Sequence, residues 1–167
     1  MYYFNCFFVY SIFGYFFEML LTKIIGTTPK SGILYGPITP VYGVGAVIIL
    51  LVSKWIFKNI NTSKLLQTTI IILIVMILLT LIEWIAGEII ERTMNEVFWN
   101  YSSLKYNIGK YIALEVTLVW GLMSLILIYI INPFLDNFIK KIPTPLTLLL
   151  ILFLVLDIII TFIIKKT

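Results

Sequence analysis

The stretch Leu65–Ile90, LLQTTIIILIVMILLTLIEWIAGEII, is the most aliphatic part of the chain as far as Glu83, after which Trp84, Gly87, Glu88 and Glu91 change its character abruptly. An apolar run of this length is what a helix needs to cross the ~30 Å of hydrocarbon in a bilayer. Runs of the same kind lie on either side of it. The first covers about 3–21 and is rich in Phe and Tyr; the second covers 41–57. After a polar, aromatic connector from Arg92 to Lys110 come a fourth run at 111–131, ended by Asn132-Pro133, and a fifth at 146–164. The expected fold is an all-α membrane protein, a single domain over 1–167 made of about five transmembrane helices (3–21, 41–57, 65–90, 111–131 and 146–164).

Composition leads to the same class. A chain of 167 residues that is 61% hydrophobic and 12% charged, with mean hydropathy +1.08, is not a soluble globular domain, in which charged residues make up about 25%. The net charge of +4 comes from twelve basic residues set mostly in the gaps between apolar runs, where lysines flank membrane spans; it is not a nucleic-acid footprint. Cys6 is the one cysteine and there is no histidine, so disulfide frameworks, Cys/His zinc sites and histidine bases are excluded. No cofactor, metal set or catalytic residue is called for. The first apolar run lacks a positive leading region and a small-residue cleavage site, so it is expected to stay in place as a span.

One segment departs from plain membrane helix. Gly32-Ile-Leu-Tyr-Gly-Pro-Ile-Thr-Pro-Val-Tyr-Gly-Val-Gly45 holds four glycines, two prolines and two tyrosines at the approach to the second span. Pro37 and Pro40 each remove a backbone donor and bias the residue before them away from helix, while glycine permits positive φ and close approach. The segment reads as an irregular, bent or partly re-entrant lead-in to the second helix, lining a site. The alternative is a turn followed by a helix with proline in its first turn.

Span counting places the acids. With the N-terminus on side A, the glycine-proline segment and the connector after the third helix fall on the opposite side, B. Glu18 lies near the end of the first helix, Glu83 and Glu88 near the end of the third, Glu115 near the start of the fourth and Asp157 in the later half of the fifth, all in the B-side half. A carboxylate at such depth costs ~2.5–3.5 kcal/mol on insertion scales, so it faces the bundle interior, finds a partner or keeps its proton. The expected site is a B-side vestibule with Glu18, Glu83 and Glu115 inside it and Tyr35 and Tyr42 as polar aromatic walls. Gly36, Pro37, Pro40, Trp99, Tyr101 and Asn107 complete the candidate set. Against this stands a structural reading in which the acids snorkel or pair with Lys23, Arg92 or Lys110; it is favoured for Glu88, Glu91 and Asp157. Orientation is undecided: side A carries Lys54, Lys58, Lys64, Lys140 and Lys141, side B Lys23, Lys30, Arg92, Lys105, Lys110, Lys165 and Lys166.

At these residues the sequence resembles a bacterial membrane family of putative ABC-transporter permeases, type IV. The features that carry the resemblance are Gly14 with Glu18, Gly32-Ile-Leu-Tyr-Gly-Pro with Pro40-Val-Tyr-Gly, Glu83, Trp99-Asn-Tyr-Ser, Asn107-Ile-Gly109 and Trp120-Gly121. The chain departs from the family pattern at Asn100, where aspartate is favoured, and at Lys105-Tyr106, where a proline precedes Asn107. The resemblance implies a multi-pass protein of the bacterial cell membrane acting as a transport permease.

Three functions follow from these residues. A transport component would use the interior carboxylates and the glycine-proline break to bind a small substrate or coupling ion. It would need a separate ATPase subunit, because Gly26-Thr-Thr-Pro-Lys30-Ser31 lacks the glycine before the lysine and the following helix of a phosphate loop. Its small bundle would call for a homodimer or another membrane partner. A membrane-embedded enzyme acting on a lipid or isoprenoid would use Glu18 or Glu83 as base or metal ligand, although no spaced acidic pair such as DxxxD is present. A scaffold or assembly factor would need neither acid.

Overall fold

The computed structural model describes residues 1–25 and 33–165, without the side chains of Ile25 and Lys165. Gly32, the segment from Gly26 to Ser31 and Lys166 therefore lie outside the described residues. Helix α1 spans Tyr2–Ile25, α2 Pro40–Asn59 and α3 Lys64–Met94. A short antiparallel hairpin follows, β1 (Asn107–Ile108) paired with β2 (Ile112–Ala113). Then come α4 (Leu114–Ile126), a π-helical turn (Leu127–Ile131), α5 (Asn132–Lys141) and α6 (Thr144–Lys165).

Among the described residues, five helices are long and apolar enough to cross a membrane: Tyr2–Ile24, Pro40–Asn59, Lys64–Met94, Leu114–Lys141 and Thr144–Ile164. The chain is thus a multi-pass membrane protein, as the apolar runs predict. The boundaries shift by up to four residues except at the end of the fourth span, which lies ten residues farther on. The fourth run does not stop at Asn132-Pro133 but continues helically to Lys141. Proline inside a helix lacks a donor and crowds the carbonyl one turn back. Here the π turn over Leu127–Ile131 widens the helix just before Pro133, which absorbs both defects without ending the span. The second helix begins at Pro40 itself, with proline in the first helical position, while residues 33–39 are non-helical.

By internal packing the chain forms two compact units, one of Met1–Val47 with Asp136–Thr167 and the other of Ile48–Leu135. In the first, the start of α1 is tied to the α5–α6 turn. The Asn5 side chain donates to the carbonyl of Ile139 at 3.2 Å and accepts from Thr147 Oγ1 at 2.5 Å, and Tyr2 donates to Asp136 at 2.8 Å. Farther along α1, Ser11, Gly14 and Glu18 share one face. Gly14 leaves room for the Tyr42 ring to lie across the helix, and Gly43 does the same for Ser11 and the Phe7 carbonyl.

In the second unit α3 and α4 run antiparallel. Buried positions on α3 recur every four residues, Ile71, Val75, Leu79, Glu83 and Gly87, which makes one stripe. Gly121 of α4 packs on Met76 and Ile72, so the backbones come close, as membrane helix pairs with small residues do. Hydroxyl pairs Thr68–Tyr129 (2.6 Å) and Thr80–Thr117 (2.8 Å) fix the register. Helix α3 opens on Ser63, whose side chain accepts from the Leu66 amide, and closes on Asn95 in the left-handed region at φ 53°.

Candidate functional site

In the second unit the antiparallel register carries Glu83 to Trp120. Glu83 is 7% exposed, on the α3 stripe that otherwise holds only apolar or small residues. Each of its oxygens has one donor: Tyr101 Oη gives a hydrogen bond to Oε1 at 2.5 Å and Trp120 Nε1 one to Oε2 at 2.9 Å. These donors come from the connector and from α4, so three separate elements build the cage. Both are neutral. No lysine or arginine among the described residues pairs with Glu83. An indole can only donate, whereas a phenol can give or take. A proton on Oε1 would therefore reverse the Tyr101 bond without breaking it.

The connector is folded to deliver Tyr101. Asn100 Oδ1 accepts the Ser102 amide at 2.9 Å, and the Tyr101 amide donates to the Lys110 carbonyl at 2.7 Å. The first bond is an Asx turn, in which asparagine serves as well as the aspartate favoured at that position. Gly109 turns the hairpin at φ 66°, a left-handed conformation for which glycine is suited, and Asn107 Nδ2 donates to its carbonyl at 3.0 Å. The turn presents Lys110 and Tyr111 to Glu91: Lys110 forms an ion pair with one oxygen and Tyr111 Oη donates to the other at 2.7 Å. Tyr111 is 3% exposed, and its ring fills the space above Gly87 and meets Trp99 edge to face at 5.9 Å. Burial first, then the Glu91 bond and the charges of Glu91 and Glu88, push its phenol up to about 12.

Glu115, in the first turn of α4, accepts the Tyr106 amide at 3.1 Å through Oε1. Its Oε2 and the Trp99 indole nitrogen are buried and have no hydrogen-bond partner among the described residues. Arg92 pairs with Glu88 and Lys110 with Glu91, so the structural reading of those two acids describes their surroundings. Neither cation reaches Glu83 or Glu115.

The first unit has its own acids. Glu18, half-buried, takes a hydrogen bond from Tyr42, while its Oε2 is buried without a partner. Ser11 Oγ and Thr39 Oγ1 are in the same condition, and the Thr39 amide donates to the Ser11 carbonyl at 3.2 Å. Asp157 of α6 accepts the backbone amides of Tyr35 (3.1 Å) and Gly36 (2.9 Å), with Thr161 Oγ1 adding a third bond at 3.2 Å. A side chain at Gly36 would put Cβ 2.8 Å from Asp157 Oδ2, so glycine is what admits the carboxylate. Tyr35, Gly36, Pro37 and Asp157 together line an open groove of ≈ 620 Å³, and Pro40 begins α2 beyond it.

A family model described as "Putative ABC-transporter type IV" matches residues 5–165. The chain belongs to this family. No match exists among curated proteins or solved structures. Membership places the chain with transport proteins of the membrane, and the match spans both units. It also covers the partners that sequence reasoning left out of the candidate set. Trp120 stands in the Trp120-Gly121 pair that carries the resemblance, yet counting spans gives an acid's depth and not its rotation, so the Glu83–Trp120 contact was not foreseen. The antiparallel register of two neighbouring runs was the usable signal. Asp157 escaped because its partners are backbone amides, which leave no trace in side-chain pattern.

Proposed function

We propose that the chain is the membrane-embedded permease component of an ABC-type transporter, working with a separate ATPase subunit, and that Glu83 is the acidic group that takes up a small substrate cation or coupling ion. The observation that carries this reading is the Glu83 cage: a carboxylate inside a membrane helix, enclosed by two neutral donors from other elements and balanced by no nearby lysine or arginine among the described residues. Ionisable groups at such depth mark ion and substrate pathways by default. Glu18 with Tyr42, and Glu115 with the Tyr106 amide, are the secondary acidic positions of the same reading. Five spans make a small bundle for a complete pathway, so a second copy of the chain or another membrane partner completes it.

Purification from native membranes tests the proposal. An ATPase subunit should come away with the chain, and its nucleotide hydrolysis in liposomes should fall at least tenfold in Glu83→Gln while insertion and extraction stay normal. Recovery without any ATPase, or full activity of the glutamine variant, rejects it.

A further inference from the structure

The groove in the first unit shares no residue with the Glu83 cage, and its chemistry is unusual for a membrane helix. Its long wall is one face of α6: Leu150, Phe153, Asp157, Ile160 and Ile164 follow one another at intervals of three or four residues. From Leu150 to Ile164 this face runs ~21 Å at 1.5 Å per residue. Everything along it is apolar except Asp157, near its middle. The carboxylate is fixed from one side by the Tyr35 and Gly36 amides and by Thr161, which use one lone pair of Oδ2 and two of Oδ1. All three donors are neutral, and among the described residues no lysine or arginine forms an ion pair with it. Tyr35 lines the same groove and is 59% exposed.

We infer that this groove binds a single-chain cationic amphiphile, an alkylammonium, with its charged end on Asp157 and its tail along the apolar face of α6. Charge complementarity selects the head: a fixed carboxylate with no ion-pair partner among the described residues, in apolar surroundings, gains most from a monovalent cation. The shape selects the tail, because the groove is long and apolar on either side of the acid. A phospholipid is the wrong occupant. Asp157 lies seven residues, ~10 Å, inside the Ile164 end of the span, so a lipid amine would have to leave its headgroup layer and bring its phosphate against the carboxylate. A freely partitioning amphiphile has no such tether.

The experiment uses the full chain in nanodiscs and an alkyltrimethylammonium probe with a photoactivatable group in its tail. Labelling should fall on the α6 peptide and be competed by decyltrimethylammonium, with decyl sulfate and decanol at least tenfold weaker. Asp157→Asn, which keeps an acceptor for one of the two loop amides and removes the charge, should reduce labelling at least tenfold. Ile160→Trp, which fills the groove and leaves the acid and loop in place, should do the same, and it decides the matter should Asp157→Asn not fold. Equal competition by decyl sulfate, or unchanged labelling in Asp157→Asn or Ile160→Trp, overturns the inference. None of these readouts involves an ATPase or Glu83, so the permease proposal stands or falls separately.

Discussion

The indole nitrogen of Trp120 lies 2.9 Å from Oε2 of Glu83, a bond between two membrane helices that gives a buried carboxylate one of its two donors. Its counterpart is the Tyr101 hydroxyl on Oε1. The two donors differ in what they tolerate. Glutamine at position 83 can accept from Trp120 with its oxygen and donate to Tyr101 with its amide, because the phenol can act as acceptor. Glu83→Gln should therefore unfold within ~1 kcal/mol of the parent while losing any function that needs the charge. Glu83→Ala leaves both donors unpaired in a buried site and should cost ~2–6 kcal/mol, at ~1–3 kcal/mol per orphaned group. Chemical or thermal unfolding in detergent, read beside activity, separates the two.

Removing a donor tests the same cage from outside. Trp120→Phe and Tyr101→Phe each strand one oxygen of Glu83 and should each destabilise by ~1–3 kcal/mol. Combining either with Glu83→Gln should be non-additive, since the residues share one network. Additive losses in the double-mutant cycle would mean that the bonds do not couple in the membrane.

Much of this architecture is legible in the chain because lipid imposes simple rules. Every backbone group in the hydrocarbon must be satisfied within its segment, so apolar runs translate directly into helices, and all five were found. The fourth run's extension past Pro133 was not, because a π turn is a backbone adjustment that no residue announces. Site geometry was legible in part. Glu83 sits on the four-residue stripe of buried positions and could be picked out as interior-facing. Its partners depend on helix rotation and on a connector folded by one Asx turn and one left-handed glycine, neither of which hydrophobic pattern encodes. The Asp157 latch was hidden more completely, since a carboxylate meeting backbone amides has no sequence partner to find.

The glycines should separate by what their neighbours can do. Alanine at Gly87 would bring Cβ to 2.6 Å from the Tyr111 ring, and alanine at Gly36 to 2.8 Å from Asp157 Oδ2; a ring wedged against Trp99 and a carboxylate held by three bonds have little room to move. Each should cost ~1–3 kcal/mol. Gly121→Ala meets the Met76 sulfur at 2.9 Å, the far part of a flexible side chain, and should cost less than either. The ranking can be read from melting temperatures in a single detergent.

Tyr111 should give a pH signature. Its phenol is pushed from 10.0 up to about 12, so the folded state favours the protonated form. The stability this contributes is fully present below pH 10 and is lost as pH rises toward 12, when the phenolate forms beside Glu91. A difference titration of tyrosinate absorbance between the parent and Tyr111→Phe should show one ionisation near 12; a component near 10 would mean that the hairpin does not hold Tyr111 against Glu91.

Asn5 adds a side-chain donor at the end of α5, where the Ile142 amide alone reaches the Ile139 carbonyl, at 3.3 Å. The last carbonyls of α5 have no intrahelical donor, and beside a membrane water is a poor substitute. Asn5 Nδ2 donates to the Ile139 carbonyl at 3.2 Å, and its Oδ1 accepts the Thr147 hydroxyl, which is fully buried. One amide thus joins the start of α1, the end of α5 and the first turn of α6. Asn5→Leu keeps the volume but leaves the Ile139 carbonyl only the Ile142 amide at 3.3 Å and the Thr147 hydroxyl only the Pro143 carbonyl at 3.4 Å, both long bonds, which predicts a loss of ~1–2 kcal/mol. Thr147→Val strands only Oδ1 and should cost ~1–2 kcal/mol. In the double variant the hydroxyl no longer needs an acceptor, so the combined loss should fall short of the sum of the two single losses by ~1 kcal/mol. Full additivity in detergent unfolding would show that Asn5 and Thr147 act independently and that the amide does not tie the three helices together.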